Sequence, residues 1–352
     1  MSTIRTAIIG AGGIANYHLR HLLADRENTS VSVICEPRHE AYLAKTAMFN
    51  EAGLELPPNE PDLTQLLRNY ELDVALVLSP HAFHFEQSRM CLDAGLDVLL
   101  EKPMVNTAEE ARELIAARDR SGKLLVVAFP GSLSPQIRTA AALIASNEFG
   151  ELLSISAMAW QNWGVVTVDT WRQVPELAGG GFLFDTGAHM LNTVSDLAGQ
   201  DFVEVAAWLD TRGRPVETMA TVMGRLASGA LVTLHACGEA MPSCASDVRV
   251  FCERAIIHTG IWGEYLQIQV DSKHAPEPYP LQASSGVWQQ FCAVRAGTLS
   301  NPSPPEVGLR MARLWDAIRA SALQRGQLVR IEAGCCSDHG SCSTFHNAVR
   351  HR

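Results

Sequence analysis

Thr6-Ala7-Ile8-Ile9-Gly10-Ala11-Gly12-Gly13-Ile14-Ala15 begins as a short apolar run and passes directly into a glycine-rich turn. The run has no polar alternation, as expected of a strand covered on both faces. The turn carries a G-x-G-x-x-A pattern. Gly10 reverses the chain, Gly12 lets the backbone approach a pyrophosphate, and small Ala15 permits close helix–strand packing. Gly13 and Ile14 open the helix, whose unpaired N–H groups face the bound anion. Glycine-rich turns also serve purely structural ends, so context gives the pattern its weight. The context here is a strand–turn–helix unit followed by a second strand candidate ending at Glu36. A carboxylate at that place accepts bonds from the adenosine ribose hydroxyls and repels a 2′-phosphate, which favours NAD over NADP. Arg38 is suited to the opposite choice, because a guanidinium pairs with a 2′-phosphate.

Apolar runs at 6–10, 31–35, 74–78, 97–100 and 124–129 alternate with helical stretches, which predicts a doubly wound parallel sheet over residues 1–130. Thr107 and Glu110 form a capping box opening a helix over 107–120, closed by Ser121-Gly122. The character then changes. Strand candidates at 152–160, 202–210, 219–226, 230–237, 248–251 and 266–270 predict a second, α+β domain over 131–332 with a mostly antiparallel sheet. A helix over 305–324 places Val307, Met311, Leu314, Trp315, Ile318 and Leu323 on one face, and it is expected to pack back on the first domain. Gly326 stops it before a last strand at 327–331. Residues 333–352 show no periodicity and are expected to be a mobile tail. Its Cys335, Cys336, His339, Cys342 and His346 fit no standard zinc spacing.

The 352 residues are 47% hydrophobic and 19% charged, a core-forming composition that excludes wholesale disorder. A net charge of −10 repels phosphate backbones, and no basic run offsets it, so nucleic acid is not an expected partner. No apolar stretch approaches the ~18 residues that span a bilayer, and the N-terminus has no secretory pattern, so the cytoplasm is the expected compartment and no membrane partner is expected. The nine cysteines sit mostly in apolar runs and read as reduced core thiols.

Further chemistry gathers at strand ends. Glu101-Lys102-Pro103 follows the fourth strand candidate, where open α/β sheets bind their ligands, and a lysine there can bond or exchange a proton with a reacting oxygen. Ser79-Pro80-x-x-x-His84 follows the third. Trp171-Arg172 precedes Gly179-Gly180-Gly181-x-x-x-Asp185-x-Gly187-x-His189. In this order and spacing, the set resembles the Gfo/Idh/MocA family of glucose–fructose oxidoreductase and inositol dehydrogenase-like proteins, over roughly residues 4–331.

The resemblance implies an N-terminal Rossmann domain, a C-terminal domain whose open sheet mediates assembly into a homodimer or homotetramer, and a metal-free site. It implies Lys102, Asp185 and His189 as the catalytic trio, and Ser79, Pro80, His81, His84, Glu101 and Lys102 around the nicotinamide. His189 suits a proton acceptor at neutral pH, with Asp185, one turn earlier on the same helix face, orienting it or binding substrate. Trp163 and Trp171 are expected against the substrate as stacking surfaces, with Arg172 beside them. His81 and His84 resemble a metal pair but lack a third ligand. Two departures bear on substrate: Asn192 stands where many relatives carry Asp, and Phe129-Pro130-Gly131-Ser132-Leu133 lacks their Arg or polar aromatic residues. The implied activity is NAD(P)-dependent hydride transfer to or from a secondary alcohol of a sugar, cyclitol or derivative. The alternatives are a glycosidase that oxidises its sugar transiently and a non-catalytic nucleotide sensor. A sensor would show a degraded trio, whereas here it is intact.

Overall fold

Strand β1 (Ile4–Ile9) lies between β2 (Thr29–Cys35) and β3 (Val74–Val77) in a five-stranded sheet completed by β4 (Asp97–Leu100) and β5 (Leu125–Val127), in a computed structural model that describes residues 3–281 and 284–331. The segment 333–352 lies outside the described residues. Every pair in this sheet is parallel, in the order β2-β1-β3-β4-β5. Successive residues of β1 serve opposite faces. Ile8 packs with Leu19 and Leu22 of the helix Gly13–Ala24, while Ala7 and Ile9 join the core that holds Leu92 and Leu114. Strand order reverses beside β1, so a crevice opens at the carboxyl ends of β1 and β3, where such sheets take their ligands. The helix Ala108–Ser121 carries the predicted capping box at Thr107 and Glu110, and Gly122 ends it at φ 62°.

The second sheet has nine strands: β6 (Leu152–Gln161), β7 (Phe202–Asp210), β8 (Met219–Leu226), β9 (Leu231–Cys237), β10 (Cys244–Cys252), β11 (Ile256–Thr259), β12 (Leu266–Gln269), β13 (Glu277–Pro278) and β14 (Val329–Arg330). Its order is β13-β12-β11-β10-β6-β9-β8-β7-β14, with β6 and β9 parallel and the other pairs antiparallel. In β9, Val232, Leu234 and Ala236 point inward and alternate with exposed Leu231, Thr233 and His235. The inner face packs on the helix Gly187–Ala198, which is buried along nearly its whole length.

The helix Pro305–Leu323 lies between the domains: Asp316 accepts the Ala108 N–H at 3.0 Å, and Ser321 Oγ accepts that of Ala207 in β7 at 2.9 Å. The helix Val287–Arg295 returns to the first sheet, where Trp288 and Phe291 are fully buried beside Leu19 and Ile8 and the Trp288 indole donates to Asp25. Its two stacked rings fill apolar space that the first 130 residues leave open.

Candidate active site

The crevice at β1 and β3 widens into a cleft of about 1010 Å³ between the two sheets. Gly10, Gly12, Gly13 and Ile14 line one end, while Ala15 is fully buried against the sheet. At φ +91°, Gly10 adopts a conformation that favours glycine, and a Cβ there would lie 2.8 Å from the Ser79 nitrogen. A Cβ on Gly12 or Gly13 would meet only open space. That open cradle, with the first N–H groups of the helix Gly13–Ala24 beside it, fits a pyrophosphate. Lys45, which the sequence reading missed, supports the loop from behind by donating to the Gly12 carbonyl at 3.0 Å and to Asn16 at 2.6 Å.

Glu36 is buried beside this loop. It accepts the Ala11 N–H at 2.8 Å and both the backbone N–H and Nε of Arg38. Burial pushes its carboxyl up, but these donors outweigh burial and hold it below its ordinary range. The Arg38 side chain is 68% exposed at the cleft rim. Further in, Ser79 donates to Gln87, and His84 places its two ring nitrogens 2.9 Å from the Ser79 carbonyl and 2.8 Å from the Pro103 carbonyl. A neutral imidazole donates to only one of them, and burial holds this ring below its ordinary pKa. It ties the end of β3 to the turn after β4.

In that turn Glu101 meets a partner absent from the sequence reading. His18 Nε2 lies 2.7 Å from Glu101 Oε1, and the other carboxylate oxygen accepts the Lys102 N–H. Burial opposes ionisation of Glu101, yet the His18 contact and the Lys102 charge keep its pKa low. A histidine one turn into the first helix was the available signal, but only the fold shows what it faces.

Asp185 is the centre of the substrate end. Lys102 Nζ donates to its Oδ1 at 2.8 Å and to its backbone carbonyl at 3.0 Å; the Trp163 indole and Arg172 Nε both donate to Oδ2, at 2.9 and 2.8 Å. His81 Nε2 stands 3.7 Å from Oδ1, with its Nδ1 on the Ala178 carbonyl. Burial alone would raise the Asp185 pKa, but Lys102, Arg172 and His81 overcome it and hold the carboxyl well below its usual range. Asp185 is therefore a fixed anion.

This arrangement corrects three expectations. First, Asp185 does not orient His189. It closes the short helix Phe182–Asp185, the next helix starts at Gly187, and its oxygens are occupied by donors from elsewhere. His189 lines the cleft with its ring near Phe129 and Trp262, and its Nδ1 has no partner among the described residues. Burial, reinforced by Lys102, pushes its pKa down to about 3, so the ring is neutral at physiological pH. Second, Trp163 and Trp171 are not free platforms. Trp163 is 2% exposed and serves Asp185, while the Arg172 guanidinium covers Trp171 at 4.5 Å and His81 packs edge-on to it. Third, Asn192 is not at the cleft. It donates to Ser132 and Asp196 and accepts from Arg310 in a buried network behind it.

Two family models match the chain: the oxidoreductase family's NAD-binding Rossmann fold over residues 4–129, and the GFO/IDH/MocA C-terminal domain over 137–258. A D-glucoside 3-dehydrogenase of Escherichia coli is 30% identical over 203 residues, 56% of this chain and 55% of that protein. A D-xylose 1-dehydrogenase (NADP(+)) of Hypocrea jecorina is also 30% identical, over 54% of this chain and 52% of its own length. The chain thus spans about half the length of the curated relatives it matches. Among solved structures, the WlbA dehydrogenase of Chromobacterium violaceum, in complex with NADH and UDP-GlcNAcA, superposes with a TM-score of 0.81 at 20% identity, covering 95% of this chain and 97% of that one. With residues 4–129 and 137–258 matched by the models of its two domains, the chain belongs to the Gfo/Idh/MocA oxidoreductase family.

Proposed function

We propose that the protein is an NAD(P)-dependent dehydrogenase or reductase acting on a secondary alcohol, or the matching ketone, of a sugar, cyclitol or related compound. The observation that carries this reading is the Lys102–Asp185 ion pair, which joins the two domains across the cleft that begins at the glycine-rich loop. The activities named for the sugar dehydrogenase relatives support it. When bound, the nicotinamide supplies the hydride acceptor or donor. Two N–H groups of Lys102 engage Asp185, and the third position on the nitrogen faces the substrate oxygen: as the ammonium it gives a proton to the ketone oxygen in reduction, and as the neutral amine its lone pair takes the hydroxyl proton in oxidation. His189, neutral and weakly basic, accepts a hydrogen bond from the substrate hydroxyl and fixes its orientation. A base titrating near 3 is poorly matched to proton transfer at neutral pH. A panel of sugars and polyols with NAD and NADP, followed by absorbance of the reduced cofactor, tests the reading.

Glu36, beside the place of the adenosine ribose, favours NAD as the cofactor. Wild type should bind NAD at least about tenfold more tightly than NADP, a difference of about 1.4 kcal/mol. Glu36→Ala should narrow that gap by removing a carboxylate that repels the 2′-phosphate and freeing Arg38 to pair with it. Titration of both variants with both cofactors reads this out, and tenfold tighter binding of NADP by wild type would refute it.

The outer face of the second sheet supports a symmetric dimer or tetramer. Met158, Trp208, Met223 and Leu231 are exposed on adjacent strands, and such apolar surface calls for a cover. Light scattering at micromolar concentration should give a dimeric or tetrameric mass; a monomeric mass contradicts it. Among the described residues no helix is long and apolar enough to cross a membrane. The cytoplasm is the compartment this reading assumes, and a small-molecule substrate its partner.

A further inference from the structure

Glu217 is a buried carboxyl to which the reaction described above gives no part. It stands just before β8, and among the described residues no cation forms a salt bridge with it. Its side chain turns toward the segment that carries Asp185: Oε2 accepts the Gly181 N–H at 2.6 Å, and the Glu217 carbonyl accepts the Phe182 N–H at 2.8 Å. The two backbones touch so closely that a Cβ on Gly181 would lie 1.9 Å from the Glu217 oxygen. Oε1 has no hydrogen-bond partner among the described residues. A buried carboxyl without a counter-charge is costly, and an apolar residue would fill the space more cheaply. The cost fits a role in holding the turn from Gly181 to Asp185, five residues that end on the carboxylate clamping Lys102.

We propose that Glu217 is a positioning residue for the reaction, fixing the turn from Gly181 to Asp185 and through it the Lys102 ammonium against the substrate oxygen. The proposal rests on the dehydrogenase reading for its kinetic test and on the apo protein for a second one. Burial dominates and pushes its pKa up to about 7, against the backbone N–H groups of Gly181, Glu217 itself, Phe184 and Leu183, which favour the ionised carboxyl. The contact that the turn makes with this side chain is the Gly181 N–H on Oε2, which needs an acceptor oxygen in either protonation state.

Glu217→Gln keeps an acceptor oxygen at the same reach, and Glu217→Asp withdraws it by one methylene. With Glu217→Asp, kcat should fall by about 10²-fold, the cost of an ångström-scale misplacement, while the cofactor dissociation constant stays within about threefold. Glu217→Gln should restore kcat to within about threefold of wild type. In the apo protein, amide hydrogen exchange across 180–186 should accelerate in Glu217→Asp and stay slow in Glu217→Gln. Wild-type kcat in a folded Glu217→Asp, or unchanged exchange across 180–186, would overturn the proposal. Equal losses in both variants would also overturn it, since Glu217→Gln keeps the acceptor oxygen that the proposal holds to be sufficient. Absence of turnover by wild type on every substrate would count against the dehydrogenase reading alone, because the exchange measurement needs no substrate.

Discussion

Lys102→Ala should lower kcat by about 10²–10⁴-fold, the range typical of a lost proton-transfer group. The ammonium is held on two sides by one residue, the carboxylate and the carbonyl of Asp185, and its stem rises from the turn after β4. No neighbouring donor replaces it: His81 is neutral, with its pKa pushed down to about 3 by burial, and the Arg172 Nε is already committed to Asp185. The dissociation constant of NAD should change by less than about tenfold, because the glycine loop and Glu36 are untouched. His189→Ala should cost only about tenfold in kcat, the value of one hydrogen bond to the substrate hydroxyl. Steady-state kinetics of both variants beside cofactor titrations check this. A loss for His189→Ala equal to that for Lys102→Ala would give the imidazole an equal share of the proton transfer.

Asp185→Asn should reduce kcat by about 10²-fold or more, and it should also unsettle the fold. The substitution keeps size and removes charge, leaving Lys102 and Arg172 in the cleft without their counter-ion. Breaking a buried pair by removing one partner costs about 3–5 kcal/mol; the partial exposure of Arg172 places the expected loss at the lower end of that range. Because the folded pKa of Asp185 lies below its unfolded value, its stabilising share is fully present above about pH 4 and fades as pH falls through the folded value. Thermal unfolding at neutral pH should therefore separate Asp185→Asn from wild type clearly, and the gap should close on acidification. Wild-type kcat and melting temperature in Asp185→Asn would contradict the clamp.

The elements that sequence alone made legible are those whose signal is local. Buried parallel strands such as Asp97–Leu100 read as unbroken apolar runs, and the helix Ala108–Ser121 announces both ends by its capping box and glycine. Strand β11 and the first residues of β10 were missed, because Cys244-Ala245-Ser246-Asp247 is polar and short and becomes a strand by pairing with β6. The helix Val287–Arg295 was missed too, although Trp288, Phe291 and Cys292 at helical spacing carried a signal. At the site, residue types and their order singled out Lys102, Asp185 and His189, and all three line one cleft. The partnerships were not legible. His18 with Glu101, Trp163 and Arg172 with Asp185, and Glu217 with Gly181 join residues far apart in the chain, and no periodicity encodes such contacts. The reading that paired Asp185 with His189 used helical spacing across a break in the helix.

The central claim is that the cleft removes a hydride from a carbon bearing a hydroxyl group that Lys102 serves. It is tested most directly by a product balance on the wild-type protein, with NAD and a sugar or polyol that it consumes. The account predicts one equivalent of reduced cofactor and one of ketone for each equivalent of substrate lost, with Lys102→Ala forming neither at a comparable rate. Consumption of a glycoside with release of free sugar and no net reduced cofactor would contradict it.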